Sequence, residues 1–214
     1  MSRLAGLLLP LTAALPAIEN RASRPDFCWF TQFGDRVLQR VDSVLSGKVE
    51  SVTPVRGTDV VRVSILAWHF GERRPDQREV TLLARRGDFF TGTEQLLFLQ
   101  RFEGGGRYQL HNRVARSDPD YEAKLRCLEE NLALLELERV EDRRLRARRL
   151  LHEGVGDRER WTRWHAFHEL AYVRDAYPDL VTADDREEFT RLAARSDDAP
   201  FKKALLKLLK EWTS

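Results

Sequence analysis

The chain has 214 residues, 42% apolar and 33% charged, enough to bury a core in one large or two small domains. Its 36 basic residues nearly balance 34 acidic ones, which excludes the global field of a strongly basic nucleic-acid or membrane binder. Arg greatly outnumbers Lys, and four of the few Lys fall in the last thirteen positions; the excess reads as coding bias rather than as a phosphate-binding surface.

Arg3 is followed by an uncharged stretch, Leu4 to Ala17, of the length of a signal-peptide apolar region and too short for a permanent bilayer span. Pro10 and Pro16 argue against an N-terminal core helix there. The expectation is an exported precursor, cleaved after Ala14 or after Ala17, and so a periplasmic or secreted protein. Residues 18–26 read as a linker. In such a compartment Cys28 and Cys127 suggest a disulfide, closing a loop of about 100 residues worth roughly 4.7 kcal/mol of chain entropy. Two unrelated buried thiols are the alternative.

Val37, Leu38, Val41 and Val44 recur at helical spacing and predict a short helix over 35–44. From Ser46 the period changes to that of strands. Ser46 to Val52 opens a strand, Pro54 to Thr58 with Gly57 is a turn, and 59–70 alternates, with Val61, Val63, Ile65 and Ala67 on one face. After a charged loop over 71–77, strands are predicted at 79–84 and 95–102. The glycines at 104–106 then make a hairpin turn into a fifth strand at 107–111. Short strands with turn chemistry between them predict an antiparallel barrel.

From Pro119 the period is helical. Leu125, Leu128, Leu132 and Leu135 line one face of a helix expected to start at Asp118 (N-cap) and Pro119 (first helical position). Further helices are predicted over 139–152, over 158–177 ahead of Pro178, after the capping residue Thr182 as far as Ser196, and over 200–212. In the last, Phe201, Ala204, Leu205, Leu208 and Trp212 face inward. The expected class is α+β: a five-stranded antiparallel OB-like barrel over 27–118, a connecting helix over 119–138 and an all-α, HEAT-like or bundle domain over 139–214.

The segments DRVLQRVDSVLSGKVESV, DVVRVSILAWHFGE, REVTLL, FFTGTEQLLFLQRF and GGGRYQL, within 28–138, together resemble the bacterial relatives of the netrin-like, tissue-inhibitor-of-metalloproteinase-like OB barrels. The resemblance implies that Gly47-Lys48-Val49 lies in the first strand, Val61 to Gly71 is the long strand, and Gly92 to Phe98 follows an aromatic-glycine turn. Cys127 would sit where such barrels often carry a late cysteine. Animal inhibitors of this family begin with a free Cys-x-Cys that grips the protease zinc. Here Cys28 is followed by Trp29 and Phe30, so that mechanism does not carry over.

No nucleophile elbow, phosphate-binding loop or dinucleotide motif is present, and no catalytic residue, cofactor or metal is expected. His165 and His168, with Glu169, share a helix face but lack the His-Glu-x-x-His order; a packed aromatic helix with Trp161, Trp164 and Phe167 is the preferred reading. Arg143, Arg144, Arg146, Arg148 and Arg149 read as a solvated helix face behind Glu136, Glu138, Glu141 and Asp142. The 200–212 helix is preferred as a closing helix over a membrane-surface one. Single-stranded nucleic acid, stacked on Trp68, Phe70, Phe89, Phe90 and Tyr108 beside Arg73, Arg74, Arg85 and Arg86, is the alternative function, in a cytoplasmic setting. The leading expectation is a non-catalytic exported protein. Its loops over 71–77 and 85–93, with Trp68, Phe70 and the same arginines, Phe89 and Phe90, would contact an envelope or extracellular protein.

Overall fold

The computed structural model describes residues 41–102 and 107–212. The signal-peptide, linker and Cys28 readings, residues 35–40 of the expected helix and the triple glycine lie outside them. Five strands are β1 (Ser43–Val55), β2 (Thr58–Phe70), β3 (Glu79–Arg85), β4 (Glu94–Arg101) and β5 (Arg107–Ala115). They close a barrel in the order β1-β2-β3-β5-β4. Every neighbouring pair is antiparallel except β3 and β5, which run parallel over Thr81–Leu83 and Arg107–Gln109. The barrel is therefore mixed rather than antiparallel. Strand periodicity marks which residues face inward, but not which strands close the cylinder.

The core of the barrel is aliphatic, with Leu45, Val49, Val61, Val63, Val80, Leu82, Leu97 and Leu99 facing in. Phe89, from the loop between β3 and β4, joins this core at 3% exposure. Ser43 and Val44, expected as helix, belong to β1: Val44 is buried, and its pairing with Phe70 and Phe98 wins over helical spacing. In β2 the alternation breaks at Leu66, which the register skips between Gly47–Ile65 and Ser46–Ala67. Leu66 consequently stands 56% exposed, Ala67 also faces out, and Trp68 packs on the barrel core. Glycine is required opposite this bulge, because a methyl on Gly47 would overlap the Val63 side chain and lie 2.8 Å from the Ser64 carbonyl oxygen.

Five helices follow: α1 (Tyr121–Glu136), α2 (Val140–Val155), α3 (Arg160–Ala176), α4 (Ala183–Arg195) and α5 (Ala199–Trp212). α1 begins at Tyr121, later than expected. Asp118 instead closes a turn, its carboxylate accepting from the Asp120 N–H (2.9 Å) and its carbonyl from the Tyr121 N–H (3.0 Å). The leucine stripe of α1 packs on the barrel: Leu128 is buried with Val44, Leu96, Phe98 and Val114, and Leu125, Leu132 and Leu135 flank it. Its other face, through Cys127 and Leu134, enters the helical core. β4 is thus covered on both sides, which is why Leu96 to Leu99 is a continuous apolar run.

Short connections make α2 with α3, and α4 with α5, helix hairpins; α2 packs on α4 and α3 on α5. This is the stacking of a helix-pair array. Phe189, Phe201, Leu151, Leu170 and Leu205 are fully buried between the pairs. Leu209 joins Phe201, Leu205 and Leu208 on the buried face of α5, while Ala204 and Trp212 are half-buried.

Thr182 caps α4 as expected, in a capping box with Asp185. Asp185 also ties the array together. Its carboxylate accepts from Thr182 N and Oγ1 (both 2.7 Å) and from Arg148 on α2 (2.8 Å), and lies 2.8 Å from His152 Nε2. Burial alone would raise that carboxyl, but the hydrogen bonds from Arg148, Thr182 and His152 hold it well below the usual carboxylate range. No described helix is long and apolar enough to cross a membrane.

Candidate functional site

The residues expected to form one contact surface fall at opposite ends of the barrel. The loop over 71–78 joins the end of β2 to the start of β3, beside the starts of β1 and β5. The loop over 86–93 joins the end of β3 to the start of β4, beside the β1–β2 hairpin. At the first end Trp68 is half-buried and its Nε1 donates to the Gly71 carbonyl (3.0 Å); Phe70 packs towards α1. Arg73 donates to the Gln77 carbonyl (2.9 Å), and Arg74 is exposed between Glu72 and Asp76, both also exposed. Sequence distance does not report this separation, since both loops flank the same short strand.

The second end is tied to the barrel by more hydrogen bonds and carries the exposed Phe90. Arg56 (φ 36°) and Gly57 (φ 89°) form a two-residue hairpin turn with positive φ at both central positions. Thr58 pairs with Arg85, so the hairpin tip and the start of the 86–93 loop are adjacent. Asp59, 3% exposed, accepts from the Gly87 N–H (2.9 Å) and anchors that loop; Gly92 N–H donates to the Val49 carbonyl (2.8 Å) and closes it onto β1. Between these anchors Phe89 plugs the barrel beneath the Arg113 guanidinium (5.3 Å to the ring centroid). Phe90 points the other way. It is 69% exposed, yet its carbonyl is held by Thr93 through both N–H (3.3 Å) and Oγ1 (2.6 Å).

Arg56 and Val55 at the hairpin tip, and Arg85 and Arg86 where the loop begins, are also exposed at this end. None of the three arginines pairs with a carboxylate among the described residues, whereas Arg113 at this end pairs with Asp88, and Arg62 and Arg116 elsewhere pair with Glu79 and Glu122. Val55 and Arg56 were missed in the sequence because Pro54 to Thr58 reads simply as a turn. The comparisons with protein-family models and with curated proteins give no match for this chain. Function therefore has to be argued from the side chains.

The aromatic platform of the nucleic-acid alternative is not assembled. Phe89 and Tyr108 are core, Trp68 and Phe70 are half-buried, and of the five only Phe90 is exposed. The outer face of β2 and β3 carries Arg62 paired with Glu79, and Ser64 bonded to Glu50, so it is charge-compensated rather than basic.

A cleft of about 180 Å³ between α1, α2 and α3 collects Cys127, Glu130, Glu153, His165 and Glu169 from the three helices and Asp157 from the α2–α3 connection. Burial, and then Glu169 and Glu130, push the Cys127 thiol well above its ordinary range. Burial, with His168 adding to it, lowers His165 to about 3, so the imidazole is uncharged at neutral pH. A protonated thiol beside a neutral imidazole is the reverse of an activated cysteine nucleophile. Cys127 is free and buried, among aliphatic neighbours of the helical core.

His165 stacks on Trp161 (4.9 Å between centroids, 8° between planes) while His168 is exposed, so the pair does not share one environment. Among the described residues no three His, Cys, Asp or Glu groups are arranged to hold a metal ion. The α2 arginines are absorbed by partners: Arg143 donates to the Leu137 carbonyl, and Arg144, Arg146 and Arg148 pair with Asp179, Glu153 and Asp185; Arg149 alone of the five is exposed. Arg148 joins α2 to α4 and Arg144 joins α2 to the turn at 178–180, while Arg146 pairs within α2.

Proposed function

We propose that this chain is an exported, non-catalytic protein of the cell envelope or secreted space, related to the netrin-like barrels, which binds another protein through the barrel end around Phe90. The observation that carries the binding surface is an exposed aromatic whose backbone is already fixed by the Thr93 bonds. Such a residue loses little conformational freedom on docking, and aromatic and Arg side chains are the commonest energetic anchors of protein interfaces. The protonated Cys127 and neutral His165 support the non-catalytic part. The compartment rests on the Leu4 to Ala17 stretch, and the netrin-like kinship on the strand pattern within 28–138.

The test is paired capture from an envelope fraction of the native host, using the full mature chain and its Arg85→Glu/Arg86→Glu/Phe90→Ala variant. All three side chains are exposed, so the fold is retained, as far-UV circular dichroism checks. The expected result is an envelope protein, identified by mass spectrometry, held by the parent and depleted from the variant. Identical recovery by both chains refutes the proposed surface.

A further inference from the structure

We infer that the junction between the barrel and α1 is an acid-sensitive joint, in which protonation of His69 frees the first turns of α1 from the barrel. The geometry of three side chains carries the inference. β1 pairs Val44 with Phe70 and Leu45 with Trp68, so the register skips His69 and leaves it in a bulge of β2. Its half-buried ring turns onto β1, where Nε2 lies 2.8 Å from Ser46 Oγ. Ser46 Oγ in turn lies 3.4 Å from the hydroxyl of Tyr121, the first residue of α1, which is 4% exposed. A hydrogen-bonded chain thus crosses from β2 through β1 to the helix start.

In the closed joint the ring is uncharged and carries its proton on Nδ1. Nε2 then accepts from the Ser46 hydroxyl, and the Ser46 oxygen accepts from the Tyr121 O–H. An imidazolium only donates. Once it forms, the Ser46 proton must turn away from the ring, and the Tyr121 O–H competes with Nε2–H for the Ser46 oxygen. Burial lowers the His69 pKa and outweighs Glu129 of α1, which raises it. The contribution of the joint is therefore complete above the unfolded value of about 6.5 and is lost as pH falls. Beside it, Arg116 covers the Tyr121 ring (4.6 Å to the centroid) and pairs with Glu122 (2.6 Å), and Lys124 pairs with Asp118 (2.7 Å). These pairs neutralise one another and leave Glu129 as the charge that acts on His69. Leu128 holds the rest of the helix on the barrel, so the opening is confined to the N-terminal turns.

Amide hydrogen exchange by NMR on the full mature chain, scaled to the intrinsic rate at each pH, reads the joint directly. The protection of amides 124–128 is expected to fall about fivefold or more between about pH 7.5 and about pH 5, while β3 and β5 keep theirs. The midpoint of that loss should equal the midpoint of the His69 ring titration. His69→Gln gives Ser46 an amide that takes up no proton in this range, and is expected to abolish the loss. His165→Gln, which removes the buried imidazole of the cleft, is expected to leave the loss in place. Unchanged protection at the lower pH, a midpoint apart from the His69 titration, or a loss that His69→Gln retains overturns the inference. So does a loss that His165→Gln removes, since the acid response would then belong to the cleft.

Discussion

Replacing Asp185 with Ala removes three kinds of contact at once. The α4 capping box is lost, costing about 1 kcal/mol. The Arg148 and His152 contacts are lost as well. Bonds to charged groups are worth about 1.5–3 kcal/mol when buried, but the Arg148 side chain is 35% exposed, so about 1 kcal/mol is assigned to each here. The total is roughly 3 kcal/mol, and for a chain of this size that lowers the melting temperature by about 6–12 °C.

Asp185→Asn keeps a cap acceptor and loses only the charge, so it should fall between parent and Ala. Because the folded carboxyl is held low, its contribution is complete above the unfolded pKa of about 3.9 and fades as pH falls through the folded value. The gap between parent and variant must therefore close only below about pH 4. Urea and thermal unfolding followed by far-UV circular dichroism, at neutral and at acid pH, measure both effects. A melting temperature within about 2 °C of the parent would refute the claim that this carboxylate joins α2 to α4.

His165 acts in a different window. The unfolded imidazole takes up a proton near pH 6.5 and the folded one only near 3, so stability is complete above pH 6.5 and declines on acidification, by roughly 2 kcal/mol at pH 5. His165→Gln should flatten that slope in urea titrations; an unchanged slope, or a parent that gains stability in acid through the Glu169 carboxylate 3.9 Å away, would refute it. Gly47→Ala should cost about 1–3 kcal/mol by forcing β1 from β2 at the bulge, and an unaltered urea midpoint would show that the strands part freely. In a Cys28→Ser background, Cys127 should resist alkylation at pH 8 until denaturant is added, as mass spectrometry reads directly; rapid labelling of the native chain would contradict its burial and raised pKa.

Local rules made much of this architecture legible. The switch from period two to helical period, the leucine stripe of α1 and the Thr182 cap each depend on residues a turn or a strand apart. The stripe and the cap appear where expected, and the helix begins at Tyr121, two residues after Pro119. The run Leu96 to Leu99 even records in sequence that β4 is covered on both faces. What was not legible depends on pairing across the chain. The parallel β3–β5 closure, the bulge that turns Leu66 outward and the separation of the two loops to opposite ends all follow from register. Register is set by which strands meet, not by any one strand's pattern. The cleft around Cys127 was hidden for the same reason, since its lining comes from α1, α2 and α3 at separations no local motif spans. Phe89 and Phe90 are adjacent and chemically identical, yet one plugs the barrel and the other faces solvent.

The most direct test of the binding claim is site-specific photo-crosslinking in the native host, with a benzophenone amino acid at position 90 and, as a control, at the exposed Leu145 of α2. The account predicts a discrete envelope-protein adduct from position 90 that is absent from position 145. No adduct at 90, the same adducts from both positions, or a nucleic-acid adduct at 90 would contradict it.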